Sequence, residues 1–430
     1  MEGRPPPDDD LFEWTDSPAR PPRRERVAQG RRSDTEERRR ISRGDTGEFE
    51  RSGRKPPPGR RSRHRDLPAR VRRRQAFIIG GLALLVIVGL IVLVSGGGGS
   101  SEKTVGLKRL VGQSIVAKLG AKGPDQALLQ RVKQGRVGGV IAFNKDATKL
   151  KAEIATLQQA ARAGDSPPLL VMVDQEGGDV KRLPQGPPNA SPAQLGKSGD
   201  EGQAHDQGQA TGSYLRGLGI NVDLAPVLDV AHANTADSIK TRTFGTDPAV
   251  VTKVGVAFAQ GLQDGGVVAT AKHFPGLGRA TVSTDDRPTD IAATSDQLQA
   301  DLEPFKGAVA AGVKMVMVST AGYPTLGSKK QAAFSPAIVS GLLRSQLGFD
   351  GVVITDDLES PAVTDQTSPV VAASSAMKAG DDLLLYATSA AASDRAFRSL
   401  VQEVKSGNLN RALFQDAYDR ITSLKDSPTG

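Results

Sequence analysis

The chain has 430 residues, with 56 Lys and Arg against 48 Asp and Glu. It has no cysteine, which excludes disulfides and thiolate metal sites but fits any compartment. Of those charges, 22 basic and 14 acidic side chains fall within residues 1–75, so the whole formal charge of +8 sits there and the remainder is balanced. The basic pI therefore does not indicate a nucleic-acid groove in the folded part, and no nucleic-acid partner is expected.

Residues 1–75 are rich in Arg, Pro, Asp and Glu and lack apolar periodicity. Such a segment buries too little surface to offset its ordering entropy, so a disordered tail is predicted. Its Arg clusters, such as Arg38 to Arg40 and Arg72 to Arg74, read either as a solvated tail that sets topology or as contacts to anionic lipid. The run Ala76 to Val94 contains no charge and approaches the roughly 20 residues that span a bilayer as a helix. It begins too late for a cleaved signal peptide, so a retained transmembrane helix over 76–95 is predicted. Arginines on its N-terminal side place the tail in the cytoplasm and the C-terminal part outside. Gly96 to Ser101 then reads as a flexible tether within a 96–105 linker.

From 106 to 430 the composition is globular. Strands are predicted at Ser114–Lys118, Gly139–Phe143, Leu169–Val173, Ile220–Leu224, Val267–Ala271, Lys314–Val318, Val352–Ile354 and Asp382–Leu385. Amphipathic segments such as Lys149–Ala163, Asp206–Leu218, Ala249–Gln263 and Ser295–Ala311 lie between them. Near-continuous apolar strands joined by helices imply a parallel sheet covered on both faces. Eight of them in this length suit one (β/α)8 barrel of the TIM type, an α/β fold. A doubly wound open sheet is the alternative, weakened by the lack of a Gly-rich phosphate loop after an early strand.

In a barrel the active site forms at the C-terminal strand ends. Four predicted strands end in charge. Asp174 and Glu176 follow the third, Asp223 lies in the fourth, Lys272 and His273 follow the fifth, and Asp356 and Asp357 follow the seventh. One such end is explained by helix capping. Four together gather carboxylates, an imidazole and an ammonium at one mouth, which suits a polyhydroxylated ligand and carboxylate chemistry at an acetal carbon.

The stretches VDQEGGDVKRL (173–183), GINVDLAPVLDV (219–230), TRTFGTDP (241–248), AKHFPGLG (271–278) and LLRSQLGFDGVVITDDLES (342–360) resemble glycoside hydrolase family 3. The likeness is to its single-domain form, typified by bacterial β-N-acetylglucosaminidases, and runs collinearly through most of the barrel. The resemblance implies Asp356 as the nucleophile of a retaining mechanism. It implies Asp174, Arg242, Lys272 and His273 as sugar-binding groups, with Asp357 as a cap or supporting group. It implies a carbohydrate substrate, most simply a terminal β-linked N-acetylglucosamine of cell-wall or surface glycan, and no metal or organic cofactor.

The sequence departs from this pattern after His273. Leu277 stands where the family's histidine is usual, and Ser283, Thr284 and Asp285 occupy the positions of its Asp-Ser-His acid/base segment. No histidine follows His273 in the chain. Either Asp285 (or its neighbour Asp286) serves as acid/base, or the barrel is a weakened, membrane-tethered glycan-binding protein. A carboxyl serves as acid when burial or a nearby anion raises its pKa.

Overall fold

The computed structural model describes residues 105–427. The predicted tail, transmembrane run and most of the linker lie outside these residues. Among the described residues no helix is long and apolar enough to cross a membrane.

Among the described residues ten strands form, and eight belong to one parallel sheet. They are β1 (Ile115–Leu119), β2 (Gly139–Ala142), β3 (Leu170–Val173), β4 (Gln175–Gly177), β5 (Val180–Lys181), β6 (Val222–Asp223), β7 (Val268–Phe274), β8 (Met315–Val318), β9 (Val352–Thr355) and β10 (Leu384–Leu385). The order in the sheet is β10-β1-β2-β3-β6-β7-β8-β9, while β4 and β5 make a small antiparallel hairpin. A parallel bridge between Ile354 and Leu383 joins β9 to the chain entering β10, so the sheet curls round to meet itself. This is the predicted (β/α)8 topology, with all eight predicted strands present.

The strands are short and buried on both faces, as apolar runs such as Leu170–Val173 and Met315–Val318 require. Most crossover helices start at a side-chain cap that the sequence supplies, the exception being Ala337–Gln346 between β8 and β9. Asp125, Asp146, Asp200 and Asp247 accept from backbone amides of the first turns of Gln126–Lys133, Ala147–Ala163, Glu201–Gly217 and Pro248–Asp264. Thr294 and Gln297 form a reciprocal capping box before Ser295–Ala310. Helices Glu201–Gly217 and Pro248–Asp264 meet backbone to backbone. A Cβ added at Gly208 would stand 2.2 Å from the Phe258 carbonyl oxygen, and one at Gly261 would stand 2.1 Å from that of His205. Only hydrogen fits there, so these glycines set the spacing of two of the barrel's outer helices.

One strand differs from its predicted extent in a way that matters. β7 runs on through Lys272, His273 and Phe274 instead of ending at Ala271. Its pairing with β8 shifts register between Ala271 and Phe274. Neighbours on a regular strand point to opposite faces. The shift breaks that alternation, and Lys272 and His273 both reach the cavity at the strand ends.

Candidate active site

A cavity of about 370 Å³ opens at the C-terminal ends of the strands. Its wall includes all six residues singled out from the sequence: Asp174, Arg242, Lys272, His273, Asp285 and Asp356. They come from the loops or ends of β3, β6, β7 and β9, so only closure of the sheet brings them together.

The floor is an ionic lattice. Lys272 donates through Nζ to Asp174 Oδ1 at 3.0 Å and lies 2.6 Å from Glu176 Oε1. Arg242 grips Glu176 with both arms of its fork, Nε to Oε2 at 2.8 Å and Nη2 to Oε1 at 2.7 Å. Arg182 reaches Asp174 Oδ2 at 3.3 Å from the rim. Burial alone would raise the Glu176 carboxyl, but Arg242 and then Lys272 outweigh it and hold the group down at about 2. Burial would likewise strip Lys272 of its proton. Glu176 and Asp174 overcome that and keep its pKa above the ordinary lysine value. The result is a fixed array of charged donors and acceptors, which orients hydroxyl groups by charge-assisted hydrogen bonds.

His273 is held from behind. Asp229, fully buried, accepts from the His273 backbone amide at 3.2 Å and from the Leu277 amide at 2.6 Å, and its Oδ2 lies 2.7 Å from His273 Nδ1. A carboxylate only accepts, so Nδ1 carries the proton, and Nε2 is the nitrogen left for a ligand. Leu277 is itself buried and lines the cavity, giving an apolar wall where the sequence pattern led one to look for a second histidine.

Asp356 follows β9, a strand buried along its length, and its amide donates to the Val318 carbonyl at the end of β8 at 3.0 Å. Its Oδ1 accepts from the Asp357 amide at 2.8 Å. Burial pushes the Asp356 carboxyl up, the His273 ring draws it back, and Asp285 pushes it up again. Both Asp285 and Asp356 line the cavity wall. Asp285 stands on the 279–290 loop, exposed but lining the cavity; Asp286 is exposed and does not line it. The loop thus discriminates between the two carboxylates that the sequence left open. Asp357 also lines the cavity, while its Oδ1 accepts from the Glu359 amide at 3.0 Å and the Ala387 amide at 3.1 Å, as a cap would.

Of three further buried carboxylates, Glu176 and Asp223 were among the strand-end charges read from sequence without an assigned role, and Asp229 was not named. Glu176 had a readable signal, since it lies two residues beyond Asp174 and so on the same face of an extended chain. Asp229 had none beyond its place in the 219–230 stretch. Asp223 accepts from the Gln175 amide at 2.9 Å and shapes the turn after β3. Burial pushes it up to about 8 against that amide's pull. His205 pairs with Asp264 and His232 with Asp301, and neither lines the cavity. Among the described residues no cluster of His, Asp and Glu is arranged to hold a metal ion.

Taken together, a parallel barrel with opposed carboxylates and a fixed polar floor at its strand ends defines a sugar-processing (β/α)8 enzyme. Residues 107–424 match the Glycosyl hydrolase family 3 N terminal domain. The chain belongs to glycoside hydrolase family 3 and is a glycosidase. It is 34% identical over 325 residues to an uncharacterized secreted glycosyl hydrolase of Arthroderma benhamiae, covering 73% of this chain and 92% of that one. It is 34% identical over 305 residues to the beta-hexosaminidase LpqI of Mycobacterium tuberculosis, covering 68% and 77%. Among solved structures, a β-N-acetylhexosaminidase from Beutenbergia cavernae superposes with a TM-score of 0.68 at 32% identity, covering 75% of this chain and 99% of that one. A family 3 β-N-acetylglucosaminidase from Paenibacillus sp. superposes with a TM-score of 0.72 at 33% identity. The match takes in 75% of this chain and 62% of that one, so this chain spans less than two thirds of it.

Proposed function

We propose that the protein is a retaining glycosidase that releases terminal β-linked N-acetylglucosamine, with Asp356 as nucleophile and Asp285 as acid/base. Asp285 protonates the leaving oxygen while the Asp356 carboxylate attacks the anomeric carbon to form a glycosyl-enzyme. Asp285, now ionised, then takes a proton from water, which displaces Asp356. Asp174, Arg242, Lys272 and His273 hold the sugar's hydroxyls and amide.

One observation carries the reading: Asp356, at the end of β9, and Asp285, on the 279–290 loop, line the same cavity. A retaining mechanism needs two carboxyls facing one cavity, one to attack and one to deliver and take up the proton. Relatives named as hexosaminidases support the choice of sugar. The charge pattern around 76–94 supports an anchor with the barrel on the outer face of the membrane, where cell-wall or surface glycan is the substrate at hand.

The test is hydrolysis by the full chain of aryl β-N-acetylglucosaminide beside aryl β-glucoside. The acetamido sugar is expected to be preferred, with activity lost in Asp356→Asn. Unchanged activity in that variant would sink the mechanism, and preference for the glucoside would sink the substrate. Protease added to intact cells is expected to reach the barrel; protection would overturn the orientation.

A further inference from the structure

Asp301 is a carboxylate that the mechanism above does not use. It lies on helix Ser295–Ala310, 1% exposed, and does not line the cavity. Two cations or potential cations converge on it. Arg279 places Nε 2.5 Å from Oδ2 and Nη2 3.3 Å from Oδ1, and His232 places Nε2 3.0 Å from Oδ1. Arg279 is the first side chain of the loop that carries Asp285. Among the described residues, this is the ion pair by which that loop is tied to the barrel.

The surroundings make the tie directional. The Thr235 hydroxyl donates to the Gly278 carbonyl, and the Ala236 amide donates to the Ala280 carbonyl at 2.9 Å. Gly278 has no room for a side chain, since its Cβ would stand 1.9 Å from the Val230 carbonyl oxygen. The loop root is therefore wedged between the 231–236 segment and the helix. Its middle is held at the Thr284 carbonyl, which accepts from the Ala362 amide at 3.1 Å, and its end at Ile291, whose amide donates to Gly322 at 2.8 Å. Asp285 directly follows the second of these anchors, on the way to the third.

We propose that Asp301 is a positioning residue. By clamping Arg279 it fixes the start of the 279–290 loop and so sets where the Asp285 carboxyl stands over the cavity. The inference rests on the assignment of Asp285 as acid/base. A buried carboxylate gripped by a guanidinium fork is a stiff joint, because loosening either partner leaves an uncompensated buried charge. Its effect on the reaction is therefore on proton delivery rather than on sugar binding.

The experiment uses the full chain with two β-N-acetylglucosaminides, one with a dinitrophenyl leaving group that departs without a proton and one with an alkyl leaving group that needs one. In Asp301→Asn, kcat/KM on the alkyl glycoside is expected to fall roughly tenfold to a hundredfold, the scale of a catalytic group displaced by about an ångström. The dinitrophenyl glycoside is expected to keep its kcat/KM, which reports formation of the glycosyl-enzyme, while its kcat and KM fall together because Asp285 also serves as base in the second step. Combined with Asp285→Asn, the Asp301 substitution is expected to add no further loss. Equal losses on both glycosides, additive losses in the double variant, or no loss at all would each overturn the proposal. Should Asp301→Asn fail to fold, Arg279→Ala is held to the same criteria, with Arg279→Lys expected to recover part of the alkyl rate. If Asp285→Asn itself shows no dependence on the leaving group, the acid/base assignment falls and this inference with it. If Asp285→Asn shows that dependence and the Asp301 and Arg279 variants do not, only the positioning role falls.

Discussion

Glu176→Gln isolates the ionic floor from the reacting carboxylates. The side chain is almost fully buried, with a bidentate Arg242 on one side and Lys272 at 2.6 Å on the other. Its carboxyl falls from 4.5 to about 2 in the folded protein. Holding the carboxyl that far down corresponds to about 3 kcal/mol of stability at neutral pH. Breaking a buried pair by removing one partner costs about 3–5 kcal/mol, the same scale. Because the folded pKa is depressed, this stability is fully present above the unfolded value. It is lost as pH falls from about 4.5 toward 2. Chemical unfolding of the full chain at a series of pH values is the assay. Glu176→Gln is expected to be less stable than the parent by about 3 kcal/mol at pH 7, with the gap narrowing below pH 4.5. KM is also expected to rise, since Arg242 and Lys272 lose the group that aligns them. Equal stability at pH 7, or a gap of constant size down to pH 2, would refute the electrostatic account.

Other expectations concern the mouth, the core and the helix pair. The proposed mechanism requires an ionised Asp356, whose pKa is raised by burial and by Asp285, so the acidic limb of kcat/KM is expected above the ordinary carboxylate range. Asp285→Asn removes one repelling charge and is expected to move that limb to lower pH while slowing poor leaving groups by about 10²–10⁴-fold; a limb that stays put would dissociate the two carboxylates. Asp223 is raised to about 8, so the folded state binds an extra proton between about 3.8 and 8, and the group makes stability decline as pH rises through that window. Asp223→Asn is expected to flatten the decline and to lose no stability at pH 7, as measured by unfolding at pH 5 and pH 8. Gly208→Val forces a side chain where a Cβ already meets the Phe258 carbonyl at 2.2 Å. It is expected to lower stability by about 1–3 kcal/mol, the cost of overpacking, with a lower unfolding midpoint as the readout.

Much of the barrel was legible in the sequence because its determinants are local. Buried parallel strands must be apolar on both faces, so runs such as Leu170–Val173 and Val352–Thr355 announce themselves. Helix starts are written as Asp and Thr caps a residue before the amphipathic pattern. Asp174, Lys272, His273 and Asp356 were readable because barrel strands end at the site, which turns a charge after an apolar run into a candidate. The same rule misplaced the end of β7, where the pairing with β8 shifts register between Ala271 and Phe274, and a strand's own residues do not encode its neighbour's register.

Tertiary structure alone decided which charges face which. Glu176 and Arg242 are 66 residues apart in sequence, and their fork is made only when the third and fourth strand-end loops converge. Asp229 supports His273 from 44 residues away. Asp285 and Asp286 are adjacent and chemically equal in sequence; the anchoring of Thr284 and Arg279 puts the first at the cavity and leaves the second in solvent. The sequence by itself determined the barrel, its family and the residues offered to the site. The partnerships that set their ionisation came only with closure of the sheet, because Coulomb interactions depend on distances in space and on burial, and neither is a property of a linear chain.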